Sequence, residues 1–292
     1  MNKDWYALLD VGGTTIKRQA VYADGTPAGR TERFQSMSAE DADTVITNLV
    51  RIICGTSDTL PAGIAMAFPG PFDYINGISH MQGLGKYDSI YGLPLRPMLA
   101  ERLGEDIPIL FINDVEAFAL GAVENYPDAK KGKCIAIAIG TGCGSAFISD
   151  GRIIKEGDGV PYGGWVYSYP LKDSCIDDYI SARGQARLSI KYFGKDIEGK
   201  ELDRLASEGN RKAEDLFNEF GEMLLEALQP FLSGFQPSSI ILGGMISRSF
   251  RYFGKSLSEY AEKNDIRIIA ADDTSKLIHK GLFQLIKGGL DA

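Results

Sequence analysis

The chain has 292 residues, 44% hydrophobic and 24% charged, the balance of an ordinary globular protein long enough for one large α/β domain or two medium ones. Its 39 acidic against 31 basic side chains leave a net charge of -8, and no basic run exceeds Lys130-Lys131, which argues against a nucleic-acid partner. No apolar run approaches the roughly 18 residues that cross a bilayer, an acid interrupts the first ten residues, and the cysteines (Cys54, Cys134, Cys143, Cys175) form no CxxC pair. A cytoplasmic protein with reduced thiols, no signal peptide and no membrane partner is therefore expected.

Short apolar, β-branched runs recur along the chain, each closed by glycine, proline or an acid. They are YALLD (6–10), GIAMAFPG (63–70), PILFIND (108–114), CIAIAIGTG (134–142), SIILGG (239–244) and IRIIAAD (266–272). The runs predict strands, and CIAIAI, with no polar face, predicts one covered on both sides. Helical stripes lie between them: Val45, Ile46, Leu49, Val50 and Ile53 over 41–53; Leu216, Phe220, Leu224, Leu228 and Phe231 over 213–232; Leu277, Ile278, Phe283 and Ile286 over 274–287. Alternating strands and helices predict an α/β fold. ALLDVGGTT and IAIAIGTGCGSA each place a Gly-Thr turn after a strand, and each leads through a second apolar run to an Asp-Gly turn, VYADG (21–25) and FISDG (147–151). The repeat reads either as a duplicated β-hairpin core or as two unrelated hairpins, with a domain boundary expected near residue 115.

The stretch DVGGTTIK (10–17) poses the functional question. A phosphate loop needs small residues, because backbone N–H groups must reach the anion and a β-carbon blocks the approach. A tight turn needs the same residues. Asp10, at the strand's end, is of the type that holds Mg²⁺ through water. Other nucleotide motifs fit less well. GKDIEGKE (194–201) matches a Walker A loop until Glu201 stands where Ser or Thr should meet the metal, and its charged surroundings predict a solvated loop. FGKS (253–256) lacks the first glycine, and GTGCG (140–144) lacks Rossmann spacing. Asn113 and Asp114 follow the strand PILFI and precede the helical EAFALGAVE. They read either as a helix cap or as a carboxylate at a strand's C-terminal end, placed to take a proton from an attacking hydroxyl.

Together these stretches resemble the ROK family (repressors, open reading frames and sugar kinases), glucokinase-like proteins within the actin-like, hexokinase-like ATPases. DVGGTTIK is similar to D-I-G-G-T-K, and AFPGPFDYINGI (67–78) to P-G-x-V-D-x-x-x-G. INDVEAFALGAVE (112–124) is similar to E-N-D-A-N-A-A-A-x-G-E, GTGCGSAFISDGRIIKEGDG (140–159) to the second phosphate loop, and ILGGMIS (241–247) to the adenosine segment. The resemblance covers nearly the whole chain and implies a two-lobed actin-like, ribonuclease H-like ATPase fold with a duplicated β-sheet core flanked by helices. The smaller lobe would comprise 1–115 with a C-terminal helix at about 275–292, the larger 116–274.

It also implies ATP-dependent phosphorylation of a sugar hydroxyl, with ATP and Mg²⁺ as cofactors and a homodimer as assembly. Asp114 would be the general base and Asp10 would position the Mg²⁺ through water. Gly12, Gly13, Thr14, Thr15 and Lys17 would serve the β- and γ-phosphates, with Thr141, Gly142 and Gly144 on their other side. Gly243 and Gly244 would admit the nucleoside. The sugar would meet Gly70, Gln82, Asn113 and Asp114. The alternative is a non-catalytic sugar-binding or regulatory ROK protein; the phosphate strand begins by residue 6, so the N-terminal DNA-binding module of the family's repressors is not expected.

The sequence departs from the family at three places. Thr15 stands where D-I-G-G-T-K has its lysine, with Lys17 two residues on. GGWVY (163–167) replaces G-E-x-G-H, so Gly164 takes the place of the sugar-binding Glu and Tyr167 that of the zinc-ligating His. SCIDDYIS (174–181) keeps only Cys175 of the cysteine cluster, and one thiolate makes no four-ligand zinc site, so no zinc is expected. Trp165 and Tyr167 read either as aromatic core or loop packing or as an apolar face against a sugar ring or its substituent, and the second reading widens the expected substrate to hexose, amino sugar or glycoside.

Overall fold

The computed structural model describes residues 4–55, 59–104 and 107–290. The chain divides into two compact units, Met1–Gly121 with Ser275–Ala292, and Ala122–Thr274. In the first unit β1 (Trp5–Val11), β2 (Thr15–Tyr22) and β3 (Glu32–Gln35) form an antiparallel meander. Helix α1 (Ala42–Cys54) follows, capped by Asp41, whose carboxylate accepts the Thr44 N–H at 3.0 Å. Its Val45, Ile46, Leu49, Ile52 and Ile53 are fully buried, the stripe that a 3.6-residue period lays on one face. Strand β4 (Gly63–Phe68) then pairs parallel to β1. A small hairpin of β5 (Phe72–Asp73) and β6 (Ile78–Ser79), and helix α2 (Leu95–Leu103), lead to β7 (Ile109–Asn113), parallel to β4. The sheet order is β3-β2-β1-β4-β7. Helix α3 (Asp114–Asn125) starts where β7 ends.

The second unit opens with α4 (Pro127–Lys130) and repeats this plan. Strands β8 (Lys133–Ile139), β9 (Cys143–Ser149) and β10 (Arg152–Ile154) are antiparallel neighbours. A short hairpin, β11 (Pro170–Leu171) with β12 (Ser174–Cys175), precedes α5 (Ile176–Tyr179), α6 (Ala182–Phe193), α7 (Gly199–Ser207) and α8 (Arg211–Phe235). Strand β13 (Ser239–Gly243) then pairs parallel to β8. After α9 (Phe250–Phe253) and α10 (Lys255–Lys263), β14 (Arg267–Ala270) pairs parallel to β13. The order β10-β9-β8-β13-β14 matches the first sheet strand for strand, so the two Gly-Thr hairpins are one design used twice. In β8 only Lys133 is exposed and only Ala138 half-buried, as a strand covered on both faces requires.

One stretch departs from its sequence reading. GKDIEGKE is not wholly a solvated loop: α7 begins at its second glycine, Gly199. Leu202 and Ala206 are buried beneath the charged face, a helical period that an eight-residue window is too short to display.

The C-terminal helix α11 (Thr274–Leu290) returns the chain to the first unit and crosses α3 backbone to backbone. A Cβ on Gly281 would lie 1.9 Å from the Ala117 carbonyl oxygen, and one on Gly121 would lie 1.8 Å from that of Leu277. An exposed helical glycine gains about 1 kcal/mol on becoming alanine. Here the added methyl must push two helices apart, and Gly281→Ala is expected to lower stability by about 3 kcal/mol. Thermal or urea unfolding checks this; a variant as stable as wild type would mean the crossing yields more easily than its geometry indicates.

Candidate active site

The β1–β2 turn is built so that the Gly12 and Gly13 carbonyls are occupied while the Gly13 and Thr14 amides are not. Tyr87 Oη donates to Gly12 O at 3.0 Å, Ser36 Oγ donates to Gly13 O at 2.6 Å, and Ser38 Oγ donates to the same oxygen. Gly12 N donates to Thr15 O at 3.0 Å, and Ser36 N donates to Thr14 O at 3.0 Å. Among the described residues the N–H groups of Gly13 and Thr14 have no carbonyl partner. Two outward amides at a glycine turn make an anion-binding concavity. Thr14 is exposed and Thr15 half-buried beside them.

Asp10 sits one residue before the end of β1, 9% exposed, directly across the ladder from Lys17. Its Oδ2 accepts from Lys17 Nζ and from Ser275 Oγ, both at 3.1 Å. Lys17 also donates to Ser275 Oγ. The Lys17 charge is therefore committed to Asp10, while Asp10 Oδ1 accepts no hydrogen bond among the described residues.

Asp114 lies at the carboxyl end of the parallel strands, where open α/β sheets hold their ligands. Asn113 does most of the capping: its Oδ1 accepts from Val115 N at 2.9 Å and Glu116 N at 3.3 Å. Its Nδ2 donates to Tyr74 Oη at 3.1 Å, and that hydroxyl donates to Phe68 O. The Asp114 carboxylate, accepting Val115 N at 2.9 Å, is left at the edge of the sheet. Burial raises its pKa from the ordinary 3.8 to about 6, and the Asp10 charge pushes the same way. The Val115 amide and the Lys86 ammonium oppose the rise without cancelling it. Gly70 is half-buried after β4, and a Cβ on it would lie 3.3 Å from Tyr74 Oη. Gln82 is exposed in the loop after β6.

In the second unit the Gly-Thr turn and the β13 end adjoin. Gly140 N donates to Gly142 O at 2.9 Å, and the Asp177 carboxylate accepts Cys143 N at 2.6 Å. Asp177 also pairs with Arg183. Thr141 is exposed, and Gly142 and Gly144 are half-buried. A Cβ on Gly142 would lie 2.8 Å from Asp177 Oδ1. Gly243 is buried and accepts from Ser247 Oγ at 2.6 Å. Gly244, at φ +88°, lies so close to β8 that a Cβ would come within 2.2 Å of Ile139 O. Only glycine fits there.

Trp165 and Tyr167 neighbour each other, their ring centroids 6.5 Å apart, with Tyr162 a further 6.2 Å from Trp165. Tyr162 is 91% and Tyr167 46% exposed, and the buried Trp165 Nε1 has no hydrogen-bond partner. Cys175 is half-buried, His80 exposed, and His279 buried with Nε2 3.3 Å from Lys17 O. Among the described residues no three His, Cys, Asp or Glu converge on a metal position.

Four contributors escape a reading of the sequence: Ser36, Ser38 and Tyr87, which hold the turn's carbonyls, and Lys86, whose charge reaches Asp114. None belongs to a periodic run. The PFDY segment does contain Tyr74, and an aromatic hydroxyl four residues past Gly70 was the available signal.

The raised Asp114 pKa has a consequence for stability. A carboxyl whose pKa is higher folded than unfolded favours the native state at low pH, and that contribution is lost as pH rises from about 4 through about 6. A rise from 3.8 to about 6 corresponds to about 3 kcal/mol lost by pH 8. Asp114→Asn is expected to melt at a higher temperature than wild type at pH 8, with the difference shrinking at pH 4. Calorimetric scans at the two pH values check this, and a pH-independent difference would contradict it.

A sequence profile described as the ROK family matches residues 6–287. An N-acetyl-D-glucosamine kinase of Photobacterium profundum is 27% identical over 264 residues, spanning 83% of this chain and 84% of the relative. A glucokinase of Thermotoga maritima is 26% identical over 266 residues, 82% of each chain. A ROK family glucokinase from Streptomyces griseus, solved with glucose and AMPPNP, shares the fold at a TM-score of 0.75 and 19% identity, covering 96% of this chain and 98% of that one. With the profile running almost from end to end and both glycine hairpins where the motifs fall, this chain belongs to the ROK family.

Proposed function

We propose that this ROK protein is a sugar kinase, transferring the γ-phosphoryl group of ATP to a hydroxyl of a hexose, amino sugar or glycoside, with Asp114 as general base. The observation that carries the reading is the Asp114 carboxylate itself: at the carboxyl edge of the sheet, excused from most of the helix-capping work, and raised to about 6. A base with a pKa just below working pH is ionised yet holds an incoming proton better than an ordinary aspartate. The kinase names of the curated relatives support the reaction class.

In the proposed reaction Asp114 accepts the sugar hydroxyl's proton as its oxygen forms the new bond to the γ-phosphorus. The bond from that phosphorus to the β–γ bridging oxygen breaks, and its electron pair leaves with ADP. The Gly13 and Thr14 amides hold phosphate oxygens in line, and Thr141, Gly142 and Gly144 are assigned to phosphate by their likeness to the family's second phosphate loop. Gly243 and Gly244 are assigned to the nucleoside, where the absence of side chains leaves the backbone open to it. Bound Mg²⁺ supplies charge neutralisation to the phosphates. The donor set fits it, since Asp10 keeps Oδ1 unbonded and directs Oδ2 to Lys17 and Ser275. For the sugar, Asn113 and Gly70 are assigned to hydroxyls. Trp165 and Tyr167 are assigned to a C–H face or an acyl or aglycone group, in place of the acid and histidine that Gly164 and Tyr167 displace.

An ADP-release screen over hexoses, N-acetylhexosamines and glycosides tests the reading. At least one sugar should stimulate release, with an acid limb of kcat/KM near pH 6, below which Asp114 holds its own proton. Asp114→Asn should lower kcat by about 10²- to 10⁴-fold. A wild type that no sugar stimulates sinks the kinase reading, and an Asp114→Asn enzyme with full turnover sinks the base.

A further inference from the structure

The β1–β2 turn has a second cation beside it, and it comes from a distant part of the chain. Lys86 closes the GLGK stretch (83–86) of the loop between β6 and α2. The loop is tied down on both sides of it. The Leu84 and Gly85 amides donate to the two carboxylate oxygens of Asp88, at 3.2 and 3.1 Å. Tyr87 is fully buried, donates its amide to Ser38 O at 2.6 Å and its hydroxyl to Gly12 O at 3.0 Å. Lys86 is thereby held against the turn. Its aliphatic stem lies on Gly13, where a Cβ would come within 2.9 Å of Lys86 Cδ.

The two lysines are in different electrostatic states. Lys17 is neutralised by Asp10 at 3.1 Å and shares Ser275 with it. Lys86 is half-buried, and among the described residues it makes no hydrogen bond and no ion pair within 4 Å. Its field nevertheless reaches Asp114, where it opposes the raised carboxyl. With its stem held on Gly13 and no counterion among the described residues, the ammonium is free to join the Gly13 and Thr14 amides as a charged donor to an arriving anion. Phosphoryl transfer needs such a charge, because the equatorial oxygens of the moving group carry its negative charge.

We propose that Lys86 is the cation that faces the transferred phosphoryl group, binding its non-bridging oxygens next to Asp114 in a chain whose glycine turn carries Thr15 in place of a lysine. The inference rests on the sugar-kinase reading above, so its main test does not require turnover. Lys86→Met and Lys86→Arg are compared with wild type by calorimetric titration with AMPPNP and with ADP, each with Mg²⁺. Lys86→Met should weaken AMPPNP about 10-fold while ADP stays within about twofold, and Lys86→Arg should restore most of the loss. On any sugar that supports ADP release, Lys86→Met should lower kcat about 10²-fold with the sugar KM little changed.

Equal weakening of AMPPNP and ADP, or AMPPNP binding untouched by Lys86→Met, overturns the proposal, as does a wild type that binds no AMPPNP. Failure of the kinase reading registers separately, as absent ADP release by wild type with the AMPPNP-selective loss intact. A fold defect in Lys86→Met is recognised by its own melt falling below the matching melts of wild type and Lys86→Arg.

Discussion

Peptide carbonyls repel an anion, and the first unit is arranged around removing two of them from view. Three hydroxyls from outside the hairpin, those of Ser36, Ser38 and Tyr87, take up the Gly12 and Gly13 carbonyls. With those oxygens occupied, the Gly13 and Thr14 amides are left without a carbonyl partner among the described residues, the arrangement that the proposed phosphate site requires. The short strand β3 delivers Ser36 and Ser38 to the turn. Tyr87 is the largest of the completely buried side chains, and its only polar atom donates to Gly12. Burial pushes its phenol pKa well up, so it remains a donor at any working pH.

The charges follow the same logic of position. Asp10 and Asp114 are two acids in one unit, and they receive different treatment: Asp10 has Lys17 across the ladder and Ser275 beside it, whereas Asp114 has one backbone amide and the field of Lys86. Desolvation decides the second case, because a single amide bond and a cation beyond ion-pair distance recover less than burial removes. The two carboxylates thus differ in partners: Asp10 has a cation and a hydroxyl, Asp114 a single amide and a raised pKa.

The strands were legible because burial on both faces strips polar residues from a run, as in CIAIAI, and the long helices because their stripes keep a 3.6-residue period. The two glycine hairpins were legible as a repeat, though choosing duplication over coincidence needed the strand orders. Asp114 could be singled out by its place after a strand, but not separated from a cap; that took the finding that Asn113 does the capping. Lys17 could be singled out by its nearness to the turn, whereas its pairing with Asp10 is visible only in the antiparallel register. Lys86 left no trace in the pattern, since a lysine in a glycine-rich loop is ordinarily a solvated one. Its neighbours are set by a tertiary contact between Tyr87 and Gly12, 75 residues apart.

Ser275 ties an early part of the chain to a late one. Asp10 leaves the ribosome long before the hydroxyl that shares its Oδ2 with Lys17, which lies 265 positions later, at the start of a helix whose glycine crossing with α3 closes the first unit. During synthesis, then, the first sheet is whole by Asn113, but its α11 contacts become available only after the entire second unit has emerged. The nascent protein carries a half-built acidic edge for most of that time, with Asp10 lacking its serine and α3 lacking its cover. The last segment of the chain to be made is thus the one that completes the environment of an acid made near its start.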